Sequence, residues 1–441
     1  MTKPLSISEY FSYFKDKRLI NIFIFGISSG FPWVLIGSVM SAWLKDEGLS
    51  RSMIGLFGIV FGAYSINFLW SPLVDRVKLP VLFNWLGQRR SWILLCQSVI
   101  FIGTFSLAGL DIKANLWFAA ALCLVIAIAS ATQDIAIDAY RIDTLADLDK
   151  RFMSAGSAMA TSGWWTGFAG LGSIPFLLAD SPSWQWPEVY VVLAVIMLVL
   201  MVTVFIIKEP TSNREEVHQE IQSNYLKALP SQGLTPAITL MISPLIFAVI
   251  IYANIGYPGM SDSLIGKDSR FWLVTLLVVA LLVIFIKRLS LLNQAVRSVQ
   301  DTPSAISYNK VHQLSAWLLT TLVAPIQDFF DRNGTRLAIS ILLFVFLFKL
   351  GEAYLGRMSI VFYREVGFSN GDIAYYSKLI NWSTTIVFSL IGSVFTIRYG
   401  ILKGLFIGGV AMASSNLLFA VMAIAGPVKW LFALTVFVDG F

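Results

Sequence analysis

Apolar stretches of membrane-crossing length recur down this chain, and a helix needs about 20 such residues to span a bilayer. They cover 19–43, 53–74, 92–110, 116–140, 153–178 and 189–207, then 337–362, 373–397 and 402–424, with a last one opening at 428. Hydrocarbon offers no water to backbone N–H and C=O groups, so such segments fold as helices that bond internally. The residues are 57% hydrophobic and only 13% charged, at a mean hydropathy of +0.74, too few charges to solvate a globule of this size. The expected fold class is an all-α, polytopic membrane protein.

The formal charge of +6 reflects where the basic residues fall and implies no nucleic-acid partner. With the N-terminus on the cytoplasmic side, the inner side of the first six spans holds Lys3, Lys15, Lys17, Arg18, Arg76, Lys78, Arg89, Arg90, Arg141, Lys150 and Arg151. The outer side holds only Lys45, Arg51 and Lys113. Eleven against three is a positive-inside bias, and it sets the orientation. Cys96 and Cys123 fall within apolar spans, where a thiol behaves as a small hydrophobe. Neither they nor His218 and His312 have metal-site spacing. No cofactor and no cleavable leader are expected.

Six spans, a polar linker and a further run of spans predict two halves. The first is 1–207, the linker 208–336, and the second, 337–441, is expected to be incomplete because its last apolar stretch is too short to cross. Two shorter apolar stretches within the linker, 237–255 and 271–286, predict an inserted transmembrane hairpin, with an interfacial or re-entrant pair as the alternative. The apolar pattern over 313–330 predicts a helix lying in the membrane interface, bent at Pro325.

Ionisable residues inside a membrane need partners or a function. Gln133, Asp134, Asp138 and Arg141 close the apolar stretch 116–140, and Asp134, Asp138 and Arg141 share one helical face at i, i+4 and i+7. That face suits either an ion pair locking two helices or a translocation route. Asp138, three residues from Arg141, is expected to stay ionised, which leaves Asp134, one turn deeper, as the candidate proton carrier. Gly26/Gly30, Gly58/Gly62 and Gly163/Gly167 have the four-residue spacing of close helix packing. Pro32 removes a helical hydrogen bond at mid-span and is a candidate gating point. The segment Ser71-Pro72-Leu73-Val74-Asp75-Arg76, followed by Gly87-Gln88-Arg89-Arg90, supplies an acid and several bases for an inner-gate latch; a topogenic charge cluster is the alternative.

In the second half, Lys349 and Glu352 are spaced to pair with each other or to meet substrate, and Lys378 lacks a local acid, which suits it to bind anions. Trp164, Trp165 and Trp382 lie at mid-span, where they serve packing or stack on sugar faces.

Several stretches resemble the AmpG family of muropeptide permeases within the major facilitator superfamily. They are Ser29-Gly30-Phe31-Pro32, the run from Phe68 to Arg76, Gly87-Gln88-Arg89-Arg90 and Ala131-Thr132-Gln133-Asp134-Ile135-Ala136-Ile137-Asp138-Ala139. Pro325-Ile326-Gln327-Asp328-Phe329-Phe330 and Phe348-Lys349-Leu350-Gly351-Glu352-Ala353 complete the set. Ser71 departs from the superfamily loop, where glycine is usual. The Gln-Asp-x-x-x-Asp-Ala element is shared with relatives carrying acetyl-CoA or pterins, and the Lys-Leu-Gly-Glu-Ala element narrows the likeness to AmpG. The resemblance implies a proton-coupled importer of GlcNAc–anhydromuramyl peptides in the bacterial inner membrane, not an enzyme. Its partners are then that small molecule, protons and the lipid bilayer; a monomer is expected, with the oligomeric state left open. Read from the residues themselves, the proton-coupling candidates are Asp134, Asp138 and Glu352. Substrate contacts fall to Gln133, Lys349, Lys378, Trp164, Trp165 and Trp382, and gating to Asp75, Arg76, Arg89, Arg90, Arg141 and Pro32. A porter for a CoA ester or pterin, or a truncated non-transporting membrane protein, remains an open alternative.

Overall fold

The computed structural model describes residues 13–67, 70–179, 181–210, 214–232, 296, 310–368 and 372–440; the expected hairpin at 237–255 and 271–286 lies outside them. Every regular element among the described residues is helical, and six helices are long and apolar enough to cross a membrane. The all-α polytopic expectation is thereby met. The chain divides into two compact units, 1–211 with 348–441, and 212–347.

In the first unit, α1 (Lys17–Val34) is capped by Asp16, whose side chain accepts the Arg18 N–H at 2.8 Å. A π turn, Leu35–Val39, leads into α2 (Met40–Asp46). The irregularity therefore lies one turn past Pro32, which sits inside α1. A widened turn misaligns backbone carbonyls, and the buried Tyr190 hydroxyl donates to Leu35 O at 2.8 Å.

The expected second span is a broken rod. It comprises α3 (Arg51–Phe57), a 3-10 stretch (Gly58–Phe61), α4 (Gly62–Ile66) and, after a break, α5 (Ser71–Arg76). Gly58 and Gly62 are poor helix formers, and Pro72 takes the first turn of α5, where its missing N–H is harmless. A short helix α6 (Leu82–Leu86) leads to α7 (Gln88–Ala108), and α8 (Leu116–Leu145) follows. The fifth span is likewise segmented, into α9 (Lys150–Trp165), a π turn (Thr166–Gly170), a 3-10 turn (Leu171–Ser173) and α10 (Ile174–Ala179). The sixth, α11 (Trp186–Ile206), has a capping box between Gln185 and Glu188.

The core falls in two clusters. One centres on Phe31, Leu35, Met40 and Trp43 against Ile100, Cys123 and Tyr190. The other joins Ile22 and Phe25 to Ile93, Ala136 and Tyr140.

In the second unit, α12 (Arg214–Gln232) packs Tyr225, Ala228 and Leu229 against Ala316, Leu319 and Val323. These belong to α13 (Lys310–Leu318) and a π turn (Leu319–Val323), from which α14 (Ala324–Val366) continues. Within 313–330, Ala316, Leu319 and Val323 are buried on α12, Leu314 is exposed, and a π turn (Leu319–Val323) lies just before Pro325. Within α14 the backbone breaks at Gly334 (φ 70°), a value that glycine adopts freely. After a π-helical stretch (Ile373–Ile380) come α15 (Asn381–Tyr399), α16 (Ile401–Ala425) and α17 (Lys429–Asp439), all in the first unit.

Candidate functional site

Glycines bring the first and fifth spans into backbone contact. A Cβ on Gly26 would lie 2.7 Å from Ala160 O and 3.0 Å from the Gly163 Cα, so neither position has room for a side chain. Gly30 faces the Trp164 backbone, and Gly167 faces Ile27, in the same way. Small residues permit such an approach. Gly58 and Gly62 do not share this role, because a Cβ at either meets nothing within 4 Å.

This approach brings Trp33 of α1 within 5.9 Å of Trp164, centroid to centroid. Trp33 also stands 4.4 Å from Tyr64 and 4.9 Å from Phe61, both of the broken second span. Trp164 in turn contacts Trp165 at 5.5 Å and Phe168 at 5.0 Å. Trp382 closes one side, its Nε1 3.5 Å from Thr166 Oγ1 and its ring against Gly170. The fifth span is further pinned to α15 by hydroxyl pairs, Ser162–Ser389 at 2.9 Å and Ser154–Ser393 at 3.2 Å.

Asp134 of α8 approaches this cluster. Its Oδ1 accepts from Ser29 Oγ at 2.6 Å, and the neighbouring Gln133 donates through Nε2 to Ser28 O at 2.7 Å. No cation pairs with Asp134 among the described residues. Asp138 is different: it is exposed and bridges Arg141 at 3.1 Å. The acidic face read from spacing therefore divides into a hydroxyl-bonded acid within the bundle and an exposed ion pair. Arg141 pairs along its own helix rather than with the basic cluster expected to form the latch.

That cluster is built around Arg89. Its guanidinium, almost wholly buried, pairs with Asp75 and, at 2.9 Å, with Asp143. The Glu209 carboxylate accepts the backbone N–H groups of Arg89 (2.7 Å) and Arg90 (3.0 Å), capping the start of α7 where the helix dipole favours an anion. Gly87 is required there twice over, by its φ of 87° and because a Cβ would strike the Glu209 side chain. Burial pushes the Glu209 carboxyl above its ordinary value, with the Arg89 and Arg90 N–H groups and charges pulling the other way. Arg90 donates to Val204 O at 2.8 Å, and burial draws the Arg76 guanidinium below its ordinary value.

The structure thus gathers Gln133, Asp134, Trp164, Trp165 and Trp382 in one region, and Asp75, Arg89 and Arg90 in another. The side chains of Lys349, Glu352 and Lys378 lie outside the described residues; their backbones belong to α14 and the π-helical stretch before α15. Sequence reasoning missed Trp33, Phe61 and Tyr64, along with Asp143 and Glu209. An aromatic beside Pro32 and an acid ending the sixth span were the available signals.

Helices of membrane-crossing length, with an aromatic cluster and a separate ionic cluster among them, fit a multi-pass membrane protein. Over 92% of its length the chain is 29% identical to the AmpG 4 protein of Rickettsia conorii, named as a transporter, and it spans 74% of that protein. It is 26% identical over 93% of its length to the anhydromuropeptide permease of Escherichia coli K12, spanning 61% of it. It is also 24% identical over 97% of its length to the AmpG 3 protein of Rickettsia prowazekii. No protein-family model matches the chain. The chain is thus similar, over most of its length, to proteins named as transporters or permeases of the AmpG type.

Proposed function

We propose that the chain is a proton-coupled importer of GlcNAc–anhydromuramyl peptides, moving them from periplasm to cytoplasm by alternating access. In this reading it sits in the bacterial inner membrane with its N-terminus cytoplasmic, built on the two-half plan of the major facilitator superfamily. The halves are 1–207 and 337–441. The observation that carries the reading is Asp134, a carboxylate within the bundle that is held by the Ser29 hydroxyl, pairs with no cation among the described residues and lies next to a cluster of indole and phenol rings. A carboxylate so placed binds and releases a proton as its exposure changes between the two faces. Asp138 and Glu352 are secondary acids in the same route. Gln133, Trp164, Trp165 and Trp382 meet the sugars, while Lys349 and Lys378 meet the peptide carboxylates. Asp75, Arg76, Arg89, Arg90 and Arg141 act at the inner gate, and the Pro32 region supplies a bend.

The relative named anhydromuropeptide permease supports this substrate over a CoA ester or a pterin. The test is uptake of labelled GlcNAc–anhydromuramyl tripeptide into membrane vesicles holding the chain, with an imposed proton gradient and after its collapse. Accumulation only with the gradient is the expected result. Binding without gradient-dependent accumulation would favour the non-transporting alternative.

A further inference from the structure

Among the described residues, the buried Trp33 Nε1 and Gln133 Oε1 beside the aromatic cluster have no hydrogen-bond partner, and the buried Tyr64 and Ser130 hydroxyls have none beyond each other. They come from three different spans, the first, the second and the fourth. Ser130 and Gln133 are completely buried, so these two side chains are enclosed within the bundle. Buried polar groups are almost always satisfied by protein, water or ligand, and an unmatched donor and acceptor beside a pair of hydroxyls are a demand for a polar guest.

The chemistry of the group restricts that guest. One member is a pure donor, one a pure acceptor, and two are hydroxyls that serve as either. None is charged. Beside them stand the half-buried faces of Trp33 and Trp164. An N-acetylated hexosamine ring matches on each count. It is neutral, its amide offers one donor and one acceptor, its hydroxyls do both, and its C–H face lies flat on an indole.

The geometry points to a subsite for the neutral amino-sugar ring, read by Trp33, Tyr64, Ser130 and Gln133. The stem-peptide carboxylates are bound elsewhere. This assignment rests on the proposed muropeptide substrate and deepens it, since it divides sugar recognition from peptide recognition.

The test is equilibrium binding of labelled disaccharide-tetrapeptide to the purified full chain in nanodiscs. Two competitors are titrated: peptide-free GlcNAc–anhydroMurNAc disaccharide and the sugar-free tetrapeptide. Tyr64→Phe removes only a hydroxyl, Trp33→Phe removes the indole N–H, and Ser130→Ala serves if either fails to fold. Trp117→Phe, at an exposed position, is the control. Each site variant should weaken competition by the disaccharide about tenfold, equivalent to about 1.4 kcal/mol for one lost buried hydrogen bond. Competition by the tetrapeptide should be unchanged, and this also reports correct folding. Equal weakening of both competitors, or of neither, would overturn the assignment. So would wild-type protein that binds the labelled ligand but ignores the disaccharide, leaving the transport reading intact. Wild-type protein that does not bind the labelled ligand removes the transport reading, and this subsite with it.

Discussion

Replacing Gly163 by Ala places a methyl group 3.0 Å from the Gly26 Cα and 3.1 Å from its carbonyl carbon, and both are backbone atoms that no rotamer change can move aside. The first and fifth spans must then part by several tenths of an ångström along their whole contact, an overpacking cost of about 1–3 kcal/mol. Alanine is also a better helix former by about 1 kcal/mol, which masks part of that cost. Gly62→Ala removes the ambiguity: its Cβ meets nothing within 4 Å, so only the propensity gain remains. The difference between the two variants isolates the steric term. With each kcal/mol worth about 2–4 °C in a unit of this size, Gly163→Ala should unfold several degrees below Gly62→Ala. The assay is thermal unfolding in detergent, followed by intrinsic fluorescence. Coincident midpoints for the two variants would refute the backbone contact between these spans.

The same thermal assay reads three further changes. Arg89→Met leaves Asp143 buried without its guanidinium and should cost about 3–5 kcal/mol, as broken buried pairs do; adding Asp143→Asn should recover part of it. Tyr190→Phe leaves Leu35 O without the hydroxyl that donates at 2.8 Å, at a cost of about 1–3 kcal/mol. Glu209 supplies a pH test. A carboxyl raised by burial favours the protonated folded form, so its contribution is full below the ordinary value of 4.5 and fades as pH rises through the raised one. The midpoint of Glu209→Gln relative to wild type should therefore rise as pH climbs from 4.5; a constant offset would contradict the shift.

Much of the architecture was legible because hydrocarbon imposes length and polarity rules that can be read one segment at a time. The first, third, fourth and sixth spans follow directly from their apolar runs. The second and fifth did not, because hydropathy is blind to backbone breaks: Gly58, Gly62 and Pro72 interrupt one, and the π turn at Thr166–Gly170 interrupts the other. Spacing found Gly26, Gly30, Gly163 and Gly167 as close-packing candidates, yet gave Gly58 and Gly62 the same standing although they face open space. At the site, Asp134 stood out because an acid among apolar residues is costly. Trp33 and Tyr64 did not, since an aromatic in a span is ordinarily packing or belt. Glu209 lies 120 positions from Arg89, and no local pattern announces a contact at that separation. Asp138 and Asp134 have the same identity and share a helical face, and only tertiary surroundings separate the ion-paired one from the hydroxyl-bonded one.

The most direct measurement is transport by Asp134→Asn, which keeps the Ser29 hydrogen-bond acceptor but cannot ionise. Vesicles holding the variant should lose accumulation of labelled anhydromuropeptide driven by a proton gradient. Exchange of internal for external substrate, which needs no net proton movement, should persist at near wild-type rate. Gradient-driven accumulation by Asp134→Asn equal to wild type would remove Asp134 from proton coupling and contradict the account.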